Sequence, residues 1–324
     1  MYRKHFGLVR KPFELSPDSN ILFLGETHKE TLAGLKQGVV SDKGFLLLTG
    51  GVGTGKTTLI NVLAKTLEIP GYLCVISNPT LGVDDFFYYF AAKLGLLFDG
   101  NTAKFLVLFA KLLEECKKKK RKVLLIIDEA HALPTDLLEE LRLLANLAIE
   151  VKNVLSIFLV GQPELLGRLT EEQLSSLSQR IVVRYHLTEL AREDCRQYIL
   201  FRLNWAGAKN RAIFTEKSLG LVYEATQGNP RQINILCDNA LLAAYSQDVL
   251  EIEGEVVRES ARRLHIQGDD STFFLPPQKT LLRRWLVWMV LAILLVEGAG
   301  VAYAHQRGWL APVYQYLMRL INLD

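Results

Sequence analysis

The sequence is poor in cysteine, and its cysteines are not arranged for chelation or cross-linking. Among 324 residues there are four, far apart, with no CxxC pair and no cysteine–histidine cluster: Cys74, Cys116, Cys195 and Cys237. This spacing argues against a zinc site and against a disulfide framework. It is typical of reduced, mostly buried thiols in a cytosolic domain.

The amino terminus lacks the apolar segment of a secretory signal. It reads MYRKHFGLVRKPFEL, in which charged residues interrupt each apolar stretch. We therefore expect this end of the chain to remain in the cytoplasm.

The chain also has little net charge, only +3 from 38 Lys and Arg against 35 Asp and Glu. The total charge therefore argues neither for nor against nucleic acid. One local run, Lys117–Lys122, is wholly basic. It has three interpretations: a solvated helix end, a contact with anionic lipid, or a contact with nucleic acid.

A glycine-rich segment indicates binding of a nucleoside triphosphate. Residues 50–57 read GGVGTGKT, a full match to GxxxxGK[ST], and they lie between an apolar run and a helix-like segment. Glycines allow successive N–H groups to point at phosphate oxygens. We expect Lys56 to reach the β- and γ-phosphates and the Thr57 hydroxyl to bind Mg²⁺. The predicted nucleotide-binding residues are Gly50, Gly51, Val52, Gly53, Thr54, Gly55, Lys56, Thr57 and Thr58.

A second segment indicates hydrolysis as well as binding. The run Val123–Ile127 has the pattern of a buried parallel strand, and it ends in Asp128 and Glu129. Asp128 is predicted to hold Mg²⁺, and Glu129 to polarise the attacking water. The string DEAH that begins at Asp128 also occurs in helicases, but no other helicase motif is found, so His131 is interpreted as an ordinary residue at the start of the next helix.

Apolar strand-like runs alternate with helical patterns in the first half of the chain. The predicted strands are Phe45–Leu48, Tyr72–Ser77, Val123–Ile127 and Val154–Val160, and the pattern is wholly helical after Leu187. The fold class is therefore α/β, a mainly parallel sheet with helices on both faces, followed by an all-helical subdomain. The predicted domains are 1–187 (ATPase core), 188–266 (helical lid), 267–284 (linker), 285–304 (transmembrane helix) and 305–324 (short extracytoplasmic tail).

The segment Trp285–Ala304 has the length and apolarity of a membrane span. It has 20 residues and one formal charge, Glu297, whose cost the surrounding aliphatic residues can offset. Three basic residues precede it, which places the amino-terminal part in the cytoplasm and the chain in the inner membrane as a single-pass protein: Lys279, Arg283 and Arg284. The alternative is a buried helix of a soluble domain.

Several further segments resemble one family. The segments are the opening HFGLVRKPFELSPDSNILFL with THKETLAGL, then GGVGTGKTT, LLIIDEAHAL, FLVGQPEL, SQRI and GNPRQIN. In order and spacing, they resemble the AAA+ ATPases of the general secretion pathway GspA/ExeA type, to which the MshM-like proteins of pilus assembly are related. This resemblance implies a P-loop AAA+ core with a helical lid. It also implies that Gln162 is the sensor 1 residue, Arg180 an arginine finger and Arg231 the sensor 2 residue.

The resemblance implies ATP and Mg²⁺ as cofactors, a ring-shaped homo-oligomer, and a membrane partner in an envelope or secretion system. Members of the GspA type carry a wall-binding region after the span, whereas only about 20 residues follow Ala304 here. Two alternatives stay open: an oligomerising signalling or defence module with a membrane effector, and a transposition-type DNA-binding ATPase. A membrane span disfavours nucleic acid as the partner.

Overall fold

The computed structural model describes residues 2–15, 23–41, 44–67, 70–77, 81–150, 154–209 and 212–266. The predicted linker, span and tail (267–284, 285–304 and 305–324) lie outside these residues. Within the described ranges, no helix is both long and apolar enough to cross a membrane.

A parallel sheet forms the centre of the fold. The described residues contain five strands: β1 (Phe45–Gly50), β2 (Gly71–Ile76), β3 (Lys122–Ile127), β4 (Leu155–Gly161) and β5 (Ile181–Leu187). Their order is β2-β3-β4-β1-β5, and every neighbouring pair is parallel. The carboxyl ends of β3, β4 and β1 therefore lie side by side, where ligands bind in open sheets of this kind.

Helices cover both faces of the sheet, as the alternation of strand and helix patterns predicts. The α-helices of the described residues are α1 (Tyr2–His5), α2 (Glu26–Val40), α3 (Lys56–Thr66), α4 (Val83–Leu94), α5 (Thr102–Lys118), α6 (Thr135–Glu150), α7 (Glu164–Arg168), α8 (Ser175–Ser178), α9 (Arg192–Trp205), α10 (Glu216–Thr226), α11 (Pro230–Ser246) and α12 (Gly254–Arg263).

Alternate residues of β1 belong to two separate hydrophobic cores. Phe45 and Leu47 pack in a core with α4, α5 and α6, whereas Leu46 and Leu48 pack on the opposite face with α2 and α3. A strand that is apolar on both faces is thus buried on both faces, which confirms the α/β prediction.

The strand β5 was not predicted from the sequence. Its residues alternate between buried and accessible along IVVRYHL, and it pairs with β1 alone, at one edge of the sheet. An edge strand with polar residues on one face lacks the continuous apolar run that marks the central strands.

After Leu187 the named elements are the four helices α9 to α12. The amino-terminal segment, residues 2–15, packs against them. Arg202 of α9 donates hydrogen bonds to the carbonyls of Pro12 and Glu14, and the Tyr2 hydroxyl donates to Asp238 of α11.

The basic run Lys117–Lys122 spans the end of α5 and the start of β3. Residues 117–121 are exposed, and Lys119 forms an ion pair with Glu115 at 3.3 Å. Lys122 is half-buried, and its amine donates to the carbonyl of Val39 at 2.7 Å. The run therefore combines a solvated helix end with one structural lysine.

Candidate active site

The loop between β1 and α3 takes a conformation that requires glycine. Gly53 and Gly55 have φ of 82° and 101°, in the left-handed region that side chains disfavour. A Cβ on Gly53 would also lie 2.7 Å from Asn229 Oδ1 and from Arg231 Cβ. Gly53 thus serves both the turn and the close approach of α11.

Lys56 is the first residue of α3, and its side chain folds back along the loop. The amine donates to the carbonyls of Gly50 at 2.9 Å and Gly51 at 2.8 Å, and only 6% of the residue is exposed. Burial lowers the pKa of Lys56, an effect that the nearby carboxylates of Glu129 and Asp128 oppose. The amine is thus a buried donor at the place where a phosphate chain would lie.

The two predicted Mg²⁺ ligands are in contact. The Thr57 hydroxyl donates to Asp128 Oδ2 at 2.8 Å, and Asp128, directly after β3, is 4% exposed. No group of three or more His, Cys, Asp or Glu suited to a metal occurs in the described residues. Mg²⁺ needs no such group, because it binds through one or two protein oxygens together with phosphates and water. The residues therefore fit Mg²⁺ bound with a nucleotide.

Glu129 has a strained backbone. Its φ of 56° is rare for a residue with a side chain, and its N–H donates to Asp128 Oδ1 at 2.9 Å. Its Oε2 lies 3.4 Å from His131 Nδ1. Strain of this kind recurs at functional sites, where the surrounding structure holds the residue in place.

His131, predicted as an ordinary residue at a helix start, has contacts that the prediction did not include. It lies in a short 3-10 turn, and the next α-helix begins at Thr135. The Gln162 backbone N–H donates to Nδ1 at 3.3 Å, and the Gln162 side-chain amide lies 3.0 Å from Nε2. His131 thus lies between Glu129 and Gln162, with ring nitrogens within 3.4 Å of a polar atom of each.

Arg168 at the end of α7 is a positioning residue that the sequence did not indicate. Its guanidinium donates to the carbonyls of His131 at 2.8 Å and Leu133 at 2.6 Å, and to the Thr135 hydroxyl at 3.2 Å. These contacts fix the segment after Asp128 to the segment after Gln162.

The helix α11 contacts the glycine-rich loop directly. Asn229 accepts from the N–H groups of Arg231 and Gln232 as the N-cap, and its Nδ2 donates to the carbonyl of Val52 at 2.7 Å. Arg231 lies next to Gly53 and lines the same cleft as Lys56. Sequence reasoning missed Asn229.

Arg180 does not lie at this cleft. It directly precedes β5, whose first residue, Ile181, pairs with Phe45 at the start of β1. The loop begins at Gly50, five residues further, which is about 16 Å along the strand. Within the described part of the chain, the Arg180 guanidinium has no hydrogen bond or ion pair. Of the predicted side chains, Lys56, Glu129, Gln162 and Arg231 line one cleft, Asp128 meets Thr57 beside it, and Arg180 stands apart.

His28 of α2 is a third residue that the sequence left unassigned, although it lies in the quoted segment THKETLAGL. It is 5% exposed, and its Nε2 contacts the carbonyl of Thr54 at 3.0 Å. A carbonyl can only accept, so Nε2 carries the proton, and Nδ1 is buried without a partner. Burial lowers the pKa of His28, and the bond to Thr54 opposes this shift.

The cleft has a volume of about 470 Å³, within the usual range for ligand sites. One end holds the glycine-rich loop, Glu129 and Gln162. At the other end lie the apolar and aromatic residues Phe23, Leu24, Leu190 and Tyr198, together with the polar side chains of Asn234 and Arg202.

Comparison with known proteins gives matches in sequence and in fold. Residues 39–169 match the AAA domain family. Over 250 residues the chain is 40% identical to General secretion pathway protein A of Aeromonas hydrophila. The aligned region covers 76% of this chain and 45% of that protein. The predicted resemblance is thereby confirmed, and the chain spans less than half the length of this relative.

Solved structures share the fold at low sequence identity. Cdc6p from Pyrobaculum aerophilum has a TM-score of 0.62 at 16% identity, with 85% of this chain and 74% of that chain covered. The Holliday junction branch migration motor RuvB of Thermotoga maritima has a TM-score of 0.53 at 21% identity, with 80% and 75% covered. At these identities the likeness shows the fold alone.

Proposed function

Because the chain carries an AAA domain and is a homologue of General secretion pathway protein A, we propose that it is an ATPase that hydrolyses ATP with Mg²⁺ in the cleft beside β1. The observation that carries the proposal is the contact of 2.8 Å between Thr57 and Asp128, next to the buried amine of Lys56. A glycine-rich turn without this function needs neither the carboxylate nor the amine.

Each polar residue of the cleft has a part in such a reaction. Bound Mg²⁺ would supply positive charge to the β- and γ-phosphate oxygens. Lys56 turns from the loop carbonyls to the phosphates, and Glu129 accepts a proton from the attacking water. Gln162 and Arg231 both line the cleft, where each can donate to a phosphate oxygen.

The test separates binding from turnover. Glu129→Gln keeps the shape of the side chain and leaves Asp128 and Thr57 in place, so ATP affinity should persist while turnover falls by about 10² to 10⁴-fold. Glu139→Gln, an exposed change on α6, is the matched control and should hydrolyse ATP normally. If Glu129→Gln turns over ATP at the unmodified rate, Glu129 does not activate the water.

We propose further that the ATPase unit comprises a core, residues 1–187, and a helical lid, residues 188–266. The contact of Asn229 with Val52 supports a lid that reports on the loop, because any movement of α11 changes this hydrogen bond. In this proposal Arg231 moves with the lid.

The proposed cellular role is the assembly or remodelling of an envelope complex, such as secretion or pilus machinery, by an ATPase anchored in the inner membrane. Its support is the name of the relative and the apolar sequence Trp285–Ala304 with the basic residues before it. The cytoplasm supplies ATP and Mg²⁺, and the basic residues before the apolar sequence support the same side for the ATPase unit.

The proposed membrane anchor is tested by measuring on which side of the membrane each end of the chain lies. A reporter active only outside the cytoplasm should be silent when it is fused before Lys279 and active when fused after Asp324, and carbonate should leave the protein in the membrane. Release of the protein by carbonate would contradict the anchor and favour a soluble, DNA-binding regulator.

A further inference from the structure

The end of the cleft opposite the glycine-rich loop is built around one oriented amide. Asn234 on α11 is 7% exposed and lines the cleft. Its Oδ1 accepts from the Tyr198 hydroxyl of α9 at 2.9 Å. Its Nδ2 has no hydrogen-bond partner within the described residues, so this donor is available to a ligand in the cleft.

Tyr198 fixes which way this amide points. Burial raises the pKa of Tyr198, so the phenol keeps its proton at neutral pH and is able to donate. Two side chains pack on the Tyr198 ring. The Phe23 ring meets it edge-on with 5.6 Å between the ring centroids, and the Arg202 Cζ lies 5.7 Å from its centroid. With Oδ1 engaged by the phenol, the Nδ2 N–H groups are the part of the amide that has no partner in the described chain.

The surroundings of Asn234 suit a nucleobase better than a phosphate. Phe23, Leu24 and Leu190 give this end an apolar and aromatic lining. A largely apolar lining with a few precisely placed polar groups is the usual form of a small-molecule site. Arg202, the charged side chain at this end, already donates to the carbonyls of Pro12 and Glu14. The loop at Lys56 fixes the phosphates at the other end of the same cleft, so the base of the same nucleotide falls here.

We propose that Asn234 binds the adenine base, its Nδ2 donating to a ring nitrogen of adenine while Tyr198 holds its Oδ1. The inference rests on the proposed ATP site and names the residue that recognises the base there. Adenine ring nitrogens accept hydrogen bonds, so they can accept from the unpartnered Nδ2.

The experiment compares ATP with tripolyphosphate, which has the phosphates but no base, in direct titrations of the full chain. Asn234→Asp replaces the donor by a carboxylate and should weaken ATP binding about tenfold or more, while tripolyphosphate affinity stays unchanged. Asn239→Asp, on the same helix outside the cleft lining, is the matched control and should leave both affinities unchanged.

A second variant removes only the orienting bond. Tyr198→Phe should weaken ATP binding by a smaller factor and again spare tripolyphosphate, and it decides the matter alone if Asn234→Asp does not fold. Equal ATP affinity in the Asn234 and Asn239 variants, or parallel loss of ATP and tripolyphosphate, would overturn the proposal. Lys56→Ala should lose both ligands, so a failure of the phosphate site is told apart from a failure of the base contact.

Discussion

At the scale of single residues, the glycine-rich loop is held by a side chain that is buried in its neutral form. That side chain is His28, because its Nε2–H holds the Thr54 carbonyl while its Nδ1 is buried without a partner. A proton added to Nδ1 would be a buried charge with no acceptor, which explains the lowered pKa.

This arrangement predicts a dependence of stability on pH. The folded-state pKa of His28 is lowered, so as pH falls through about 6.5 the unfolded chain takes up the proton first and the free energy of unfolding decreases. His28→Gln cannot bind a proton and should show a flatter decrease between about pH 7 and pH 5 in denaturant titrations. His265→Gln, an exposed change, should keep the unmodified slope. An identical slope in the His28 variant would contradict the account.

At the scale of elements, the junction of α11 with the glycine-rich loop links the helical part of the chain to the sheet. Gly53→Ala places a Cβ in the left-handed region and 2.7 Å from Asn229 Oδ1. We expect a lower thermal midpoint from strain on the order of 1 to 3 kcal/mol, together with weaker ATP binding. Gly44→Ala, where a Cβ meets nothing within 4 Å, is the control and should change neither property. If Gly53→Ala binds ATP as tightly as Gly44→Ala does, the junction is not needed for binding.

Local patterns predicted the elements whose burial is uniform. The strands β1, β3 and β4 are continuous apolar runs, and the loop after β1 has a motif with a fixed mechanism. The strand β5 was not predicted, because its edge position needs only one apolar face and its sequence has no continuous apolar run.

The site shows the same division. The predicted roles of Gln162 and Arg231 came from the family resemblance, since a lone Gln or Arg carries no local signal. His28, Asn229 and Arg168 act through backbone carbonyls, a role that depends on tertiary contact and leaves no motif.

At the scale of the whole molecule, we propose that the chain assembles into a ring in which Arg180 serves a neighbouring subunit. Arg180 precedes the strand that pairs with the start of β1, about 16 Å along that strand from the loop, and its guanidinium has no partner in the described chain. We therefore expect it to act at a neighbour's cleft and not at its own. A finger of this kind stabilises charge on the phosphoryl group during transfer.

Mixing variants tests this arrangement. Arg180→Ala alone should bind ATP without hydrolysing it, and Lys56→Ala alone should be inactive. A mixture should recover part of the turnover, because intact loops then face intact fingers. Arg184→Ala, an exposed change in β5, should behave as the unmodified chain in the same mixtures. Absence of rescue at every ratio, with co-assembly demonstrated, would place Arg180 outside the neighbour's site.

The central claim is that the loop from Gly50 to Thr58 binds ATP through the buried amine of Lys56, and calorimetric titration tests it most directly. Lys56→Ala removes a charged donor to the phosphates and should weaken Mg²⁺–ATP binding by at least about tenfold. Lys65→Ala, an exposed change on the same helix, should leave the affinity unchanged. Equal affinity of the Lys56 and Lys65 variants for ATP would contradict the claim.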